Sequence, residues 1–400
     1  MNSLVLNTLF HENDKKEFLC SHLGNSAYYF KGNRNQYTIL ISWPIINKIL
    51  MKYRLVPPRV RLVYSGENVK IEDYTSIKRE RSGRLHRLLD LVAVSQQLCR
   101  GATLIIDAID ELYDPIKNLS SEMEQMFHEE IQINAYIAWG DTPGFPMHKD
   151  PHDVLIFQVM GRKKWHIVAP NHKAFSELER LTSAGTRLAN DTWEFILEQG
   201  DSLYIPRGWQ HEVFPLGEAT IHLTTGIERR IGNDYLSWIF KNLKDLTILR
   251  EAVPRFQGEL SRKEYQNNLK DAMIKAINSL PLDKYLESCD SSLRLRGQIN
   301  LPWSASNMLS IKPDAVIKWL LPFIIRKIQK KDIYLVEADG RTLEIRSSML
   351  CILQHLELVC SIPYGQLCSF AANSKIMESE VSELIDHLAI FGWISITDRV

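Results

Sequence analysis

The stretch His148-Lys149-Asp150, answered by Gly200-Asp201-Ser202-Leu203-Tyr204-Ile205-Pro206-Arg207-Gly208-Trp209-Gln210-His211, decides how this 400-residue chain is read. His148 and Asp150 stand two apart in a strand-like segment, so their side chains leave the same face. His211 follows Asp150 by 61 positions (211 − 150) and ends a second strand-like run. Two imidazoles and one carboxylate occupying one face of an octahedron leave three positions open, the donor set suited to non-haem Fe(II) oxygen chemistry. His-x-Asp alone arises often by chance. Coupled to a later Gly-Asp, a strand, a Pro turn and a His, it becomes a specific pattern, and His148, Asp150 and His211 are the expected metal ligands and catalytic centre.

The flanking sequence is strand-rich. Gly101-Ala102-Thr103-Leu104-Ile105-Ile106-Asp107 reads as a short buried strand, and Ile131–Trp139 as a longer one ending at Gly140-Asp141-Thr142-Pro143-Gly144. Val154–Met160 and Lys164–Val168 read as a hairpin about Gly161. Ser202–Ile205 and Ala219–Thr225 complete the set, and Asp114–Phe127, with Pro115 near its start, reads as a helix between strands. Many short strands joined by Gly/Pro turns indicate a mostly β core, a double-stranded β-helix or jelly roll, rather than a parallel α/β sheet.

Around this core, residues 1–100 read as an α/β elaboration. A helix begins at Ser42-Trp43-Pro44, a strand covers Arg59–Tyr64, a turn at Ser65–Asn68 leads into Val69-Lys70-Ile71, and Arg84–Arg100 has the spacing of an amphipathic helix. Beyond Gly232, helical spacing takes over through Leu249, and a second helix spans roughly Glu259–Leu280. In the last hundred residues, Asp339-Gly340 marks a hairpin, three helical patterns follow, and Gly392–Thr397 closes as a strand, an order resembling a winged helix. The chain thus divides into 1–230 (core about 101–230), 231–300 and 301–400. The presumed recognition helix, Met377–Ile390, carries Glu378, Glu380, Glu383 and Asp386 and no Lys or Arg, which opposes a DNA-binding role.

Forty-eight Lys and Arg balance 48 Asp and Glu, so no global attraction to nucleic acid or anionic membrane is expected, although local patches remain open. The six cysteines are scattered without a Cys-x-x-Cys pair, which argues against a disulfide framework or a zinc site. The opening Met1–Phe10 lacks the basic start of a signal peptide, and no apolar run is long enough to span a bilayer. The expected location is cytoplasmic.

The residues from Asn134 to Gly226 resemble the JmjC-type cupin fold of 2-oxoglutarate-dependent hydroxylases, and more narrowly the ribosomal oxygenases and their cupin-like relatives; the match is dense over about Gly101–Arg229. The resemblance implies Fe(II), with 2-oxoglutarate and O2 as cosubstrates. The distal carboxylate of 2-oxoglutarate requires a cation, and Arg162, Lys163 and Lys164 all follow the Gly161 turn; spacing alone does not choose among them. The resemblance chooses Lys163, 15 positions after His148 (163 − 148). It also places Tyr136 and Thr224 where the family hydrogen-bonds this cosubstrate, and Asn134 and His222 at polar positions near the metal. His152 shares the face of His148 and Asp150 and is expected to line the pocket without ligating. Trp139, Trp165 and Trp209 are expected in core packing. The implied substrate is a basic protein or peptide, such as a ribosomal protein, hydroxylated on Arg or His, and the implied assembly is a homodimer through the helical segment. Two other readings remain: a hydroxylase of a precursor peptide or tRNA base, and a redox-inactive dimeric cupin that only binds.

Overall fold

The computed structural model describes residues 12–170, 192–244, 246–293, 298–305, 311–321 and 326–398. The reading of Met1–Phe10 lies outside them. The chain forms two compact units, residues 1–229 and 230–400.

The first unit holds the candidate site, and its strands are β1 (Tyr28–Phe30), β2 (Val60–Tyr64), β3 (Glu67–Asn68), β4 (Thr75–Arg79), β5 (Leu85–Leu89), β6 (Thr103–Ile106), β7 (Ile131–Ala138), β8 (His148–Lys149), β9 (Asp153–Met160), β10 (Lys163–Val168), β11 (Thr192–Leu197), β12 (Ser202–Ile205), β13 (Gln210–Pro215) and β14 (Thr220–Ile227). An eight-stranded sheet runs β1-β12-β9-β14-β7-β6-β2-β3, a four-stranded sheet runs β11-β10-β13-β8, and β4 and β5 form a separate ribbon. Alternation along the strands separates two interiors. On β7, Ile131, Ile133, Ala135 and Ile137 join a core with the helices Trp43–Lys52 and Asp114–Phe127, while Asn134 and Tyr136 leave the opposite face. The second core takes Val154, Ile156, Leu203 and Ile205 from the large sheet and Trp165, Ile167 and Leu197 from the small one. Each fully buried aliphatic of this kind contributes about 1.5–3 kcal/mol, so register is strongly specified: a one-residue slip would turn these side chains outward.

Two expectations are corrected. Val154–Met160 and Lys164–Val168 do not pair as a hairpin: β9 is hydrogen-bonded to β12 and β14, and β10 to β11 and β13. Gly161, at φ 66°, carries the chain from one sheet to the other. A Cβ there would come within 2.5 Å of the Ala219 carbonyl oxygen, so the crossing depends on glycine. Arg84–Arg100 is not one helix. Leu85–Leu89 pairs with Thr75–Arg79, and the helix is confined to Leu91–Cys99, started by Asp90, whose carboxylate accepts from the Val92 and Ala93 amides at 3.1 Å each.

Buried polar groups tie the first unit together. Asp153, fully buried, accepts from Tyr204 Oη, from the Arg207 amide (2.9 Å) and from Arg229 (3.4 Å). Asp201 accepts from Tyr29 Oη (2.7 Å) and from the amides of Gly32 (3.1 Å) and Glu198 (2.9 Å).

In the second unit, helices Gly232–Asn242, Glu259–Ser279 and Leu282–Ser292 precede a core built on Ile317, Ile352, Leu356, Leu367, Ile385 and Trp393. Ile333–Ala338 and Arg341–Arg346 pair about Asp339-Gly340, both at positive φ, and helices Leu350–Val359, Tyr364–Asn373 and Glu378–Phe391 lead to the strand Ile394–Thr397. Among the described residues no helix is long and apolar enough to cross a membrane.

Candidate metal centre

His148 and His211 are direct cross-strand partners of β8 and β13, with ring centroids 4.3 Å apart. Asp150 follows at the end of β8, held by the Gly208 amide donating to its carbonyl oxygen (2.9 Å), and its Oδ2 stands 3.5 Å from His211 Nε2. One donor atom from each of the three lies within 4.8 Å of the others, spacing that fits a single ion. The backbone sets the tautomer. His148 Nδ1 lies 2.9 Å from the Pro146 carbonyl oxygen, and a carbonyl can only accept; Nδ1 therefore donates and Nε2 keeps its lone pair. Trp209 stands in the same relation to His211 Nδ1 at 3.4 Å. Burial, then the neighbouring His148, pushes the His211 imidazole down to about 4, so it is neutral and able to ligate at neutral pH.

Parity along β10 separates the three cations after Gly161. Lys163, only 3% exposed, faces the interior with Trp165 and Ile167; Lys164 faces outward and pairs with Glu194 (2.9 Å), and Arg162 pairs with Glu218 (3.0 Å). Lys163 Nζ meets His222 Nδ1 at 2.9 Å, and burial pulls its pKa from 10.5 to about 7. Burial, then the charge of Lys163, holds the His222 imidazole well below its ordinary value. His222 stacks on Tyr136 (4.8 Å, 3° between planes), its cross-strand partner, and lies edge-on to Trp165. Trp165 Nε1 is buried and has no hydrogen-bond partner among the described residues. A buried cation and a buried donor that meet no carboxylate among the described residues fit a bound oxyanion.

Tyr136 is buried, and its phenol is pushed up to about 12 by burial, then by the charge of Asp150. Thr224 is half-buried, on the His222 face of β14 and opposite Asn134. Asn134 Oδ1 accepts from the Ala108 amide (2.8 Å) and from Gln132 (3.1 Å), so that side chain is anchored to its own sheet. His152 lies near His211 and against Gly226, where an added Cβ would sit 3.1 Å from its ring. Trp139 stacks near Trp43 on the helical core, and Trp209 stacks on Trp193 (5.0 Å).

Sequence reasoning missed one polar pair. Arg61 of β2 makes two bonds to Asp107, Nε to Oδ2 at 2.7 Å and Nη2 to Oδ1 at 3.0 Å. Register aligns Arg61, Ile105, Tyr136 and His222 across four strands, so the pair shares the site's face. The Arg-Val-Arg-Leu-Val alternation at 59–63 held the signal for an inward cation, but only the sheet order reveals its neighbour.

A JmjC domain family matches residues 111–235, the segment containing all three candidate ligands. The chain carries a JmjC domain. It is 27% identical over 276 residues to a "Bifunctional lysine-specific demethylase and histidyl-hydroxylase NO66" of Drosophila erecta, covering 66% of this chain and 40% of that protein. It is 30% identical over 162 residues to a "Ribosomal oxygenase 2" of Rattus norvegicus, covering 38% of this chain and 34% of that protein. The chain therefore spans only about a third to two fifths of these relatives' lengths. Solved structures of YcfD, a ribosomal oxygenase from Escherichia coli, share its fold. One covers 96% of this chain and 98% of its own at TM-score 0.54 and 17% identity, and one with cobalt and succinic acid reaches 0.55 at 18%.

Proposed function

We propose that this JmjC domain is the catalytic part of an Fe(II)- and 2-oxoglutarate-dependent oxygenase that hydroxylates a protein or peptide side chain. The observation that carries the reading is the convergence of His148, Asp150 and His211, together with a buried Lys163 on the adjoining strand β10 that meets no carboxylate among the described residues. His148 and His211 would present Nε2 and Asp150 a carboxylate oxygen to the metal. Lys163 would pair with the distal carboxylate of 2-oxoglutarate, with His222, Tyr136, Thr224 and Asn134 completing the wall. The bound iron supplies oxygen activation, coupled to oxidative decarboxylation of 2-oxoglutarate to succinate and CO2. The chain's own task is to present three ligands, bind the cosubstrate and exclude water, to which Trp165, 6.0 Å from the His211 ring, and Ile167, the cross-strand partner of His211, would contribute.

The names of the relatives, a histidyl-hydroxylase and a ribosomal oxygenase, support a ribosomal-protein segment modified on His; Arg is the alternative that the sequence resemblance implies. Mass spectrometry of ribosomal proteins from cells with and without the gene tests this. One protein should lose one oxygen atom when the gene is absent; an unchanged set refutes the substrate. Fe(II)-dependent succinate formation by the purified protein tests the chemistry separately, and its absence would favour a cupin that only binds.

The same reading makes the chain a cytoplasmic homodimer, with a winged helix in its last hundred residues. The exposed Leu236, Phe240, Leu260 and Ile274 of the helical segment support a covering partner. Light scattering that gave a monomer at micromolar concentration would remove the dimer.

A further inference from the structure

The β4–β5 ribbon stands apart from both sheets and is not used by the proposed chemistry. Between Thr75 and Leu89 it carries Lys78, Arg79, Arg81, Arg84 and Arg87, all exposed, against one acid, Glu80. That acid is already engaged, by Arg54 at 3.3 Å and by His86 at 3.2 Å, while Glu72, Asp73 and Asp90 flank only the base of the ribbon. Arg87 reaches Glu72 at 3.7 Å and Thr75 Oγ1 at 2.9 Å. No carboxylate among the described residues lies within ion-pair distance of Lys78, Arg79, Arg81 or Arg84.

Register distributes these cations. Ile77 faces Arg87 and Arg79 faces Leu85 on one side, Lys78 faces His86 on the other, and the Glu80–Arg84 backbone bond (2.9 Å) puts Arg84 on the Lys78 side with Arg81 at the tip. A ribbon laid on a flat partner would gather its charge on one face. Cations on both faces and at the tip suit contact with two rows of phosphates at once, as across the grooves of a double helix. Four of the five are arginines, whose planar forks match phosphate oxygens in pairs. Ile77 (61% exposed) and Leu85 (58%) flank Arg79 and add apolar contact for sugar edges. Recognition of double-stranded RNA runs mainly through phosphates, 2′-hydroxyls and shape, for which a cluster of cations suffices.

We propose that the β4–β5 ribbon docks the chain onto the phosphate backbone of double-helical RNA. The choice of RNA over DNA rests on the ribosomal-protein substrate proposed above; the charge geometry does not.

The test uses the full chain without metal or cosubstrate, so that binding is scored independently of catalysis. The probes are a fluorescent RNA stem–loop, a DNA duplex of the same sequence, and poly-glutamate, followed by anisotropy across a salt series. RNA should bind more tightly than either alternative. In Arg79→Ala/Arg81→Ala/Arg84→Ala, affinity should fall at least about tenfold and the salt slope of log K should become shallower by about 2 to 3. The same three positions changed to Lys should keep most of that slope. Lys263→Ala/Lys270→Ala/Lys275→Ala, on the exposed helix of the other unit, makes the same charge change and should leave binding intact. An unchanged thermal midpoint and an unchanged Co(II) affinity certify the folded first unit. No binding by wild type, equal loss in the helix variant, or full retention in the ribbon variant overturns the proposal. Equal binding of DNA overturns the RNA assignment, and equal binding of poly-glutamate overturns nucleic acid altogether. Failure of iron-dependent succinate formation, with RNA binding intact, would instead refute the hydroxylase reading.

Discussion

Lys163 offers the most searching test of the cosubstrate assignment. Its ammonium is buried, its one hydrogen-bond partner among the described residues is a neutral imidazole at 2.9 Å, and burial pulls its pKa to about 7. A carboxylate delivered to Nζ would make a charge-assisted contact of about 1.5–3 kcal/mol, equivalent to roughly ten- to a hundredfold in affinity. Lys163→Ala should therefore weaken 2-oxoglutarate binding by about that factor while Co(II) or Mn(II) affinity stays the same, because His148, Asp150 and His211 are untouched. The sign of the pH effect follows. Bound carboxylate favours the ammonium, so binding takes up a proton wherever free Lys163 is neutral. Above about pH 7, wild-type affinity should fall by up to about tenfold per pH unit. Calorimetry in buffers of different ionisation enthalpy should find little proton uptake at about pH 6 and close to one proton at about pH 8.5. Lys163→Arg should recover part of the affinity and show no uptake, since guanidinium stays protonated. Lys164→Ala is the control: its 2.9 Å pair with Glu194 is at the surface, where such pairs contribute about 0–1 kcal/mol. If Lys164→Ala weakens 2-oxoglutarate binding as much as Lys163→Ala, or if wild type and Lys163→Arg take up protons alike, the anchor is misassigned.

His148→Ala or His211→Ala should abolish both Co(II) binding and 2-oxoglutarate turnover, as two donors cannot hold the ion; full turnover by either variant would refute the triad. Asp153→Ala strands the Arg207 amide and Tyr204 Oη in the interior and should cost about 3–5 kcal/mol in urea denaturation; a loss below about 1 kcal/mol would mean the network is dispensable. Glu124 is pushed up to about 8 by burial, so the native state holds its proton where the unfolded chain has released it. Stability should decline between about pH 4.5 and 8, and Glu124→Gln should flatten that decline; an unaltered profile would show that Glu124 is ionised in the fold.

The local period of the chain decided a great deal. Two-residue alternation put His148 and Asp150 on one face and sent Ile131, Ile133 and Ile137 away from Asn134 and Tyr136; it also parted Lys163 from Lys164, although the choice of Lys163 came from the family resemblance. Pro115 and the apolar spacing of its neighbours marked the helix Asp114–Phe127 to its ends. Such features are legible because each depends on neighbours within a few residues. Leu85–Leu89 was not: its leucines fit a helical stripe as well as a strand, and the decision fell to pairing with Thr75–Arg79. Nor was the crossing at Gly161, where β9 and β10 look like a hairpin but take partners in different sheets. The meeting of Arg61 with Asp107, 46 positions apart, and of Lys163 with His222, 59 apart, likewise belongs to the tertiary structure. Strand order is settled by hydrogen bonds and burial between distant segments, and a local pattern leaves that choice open.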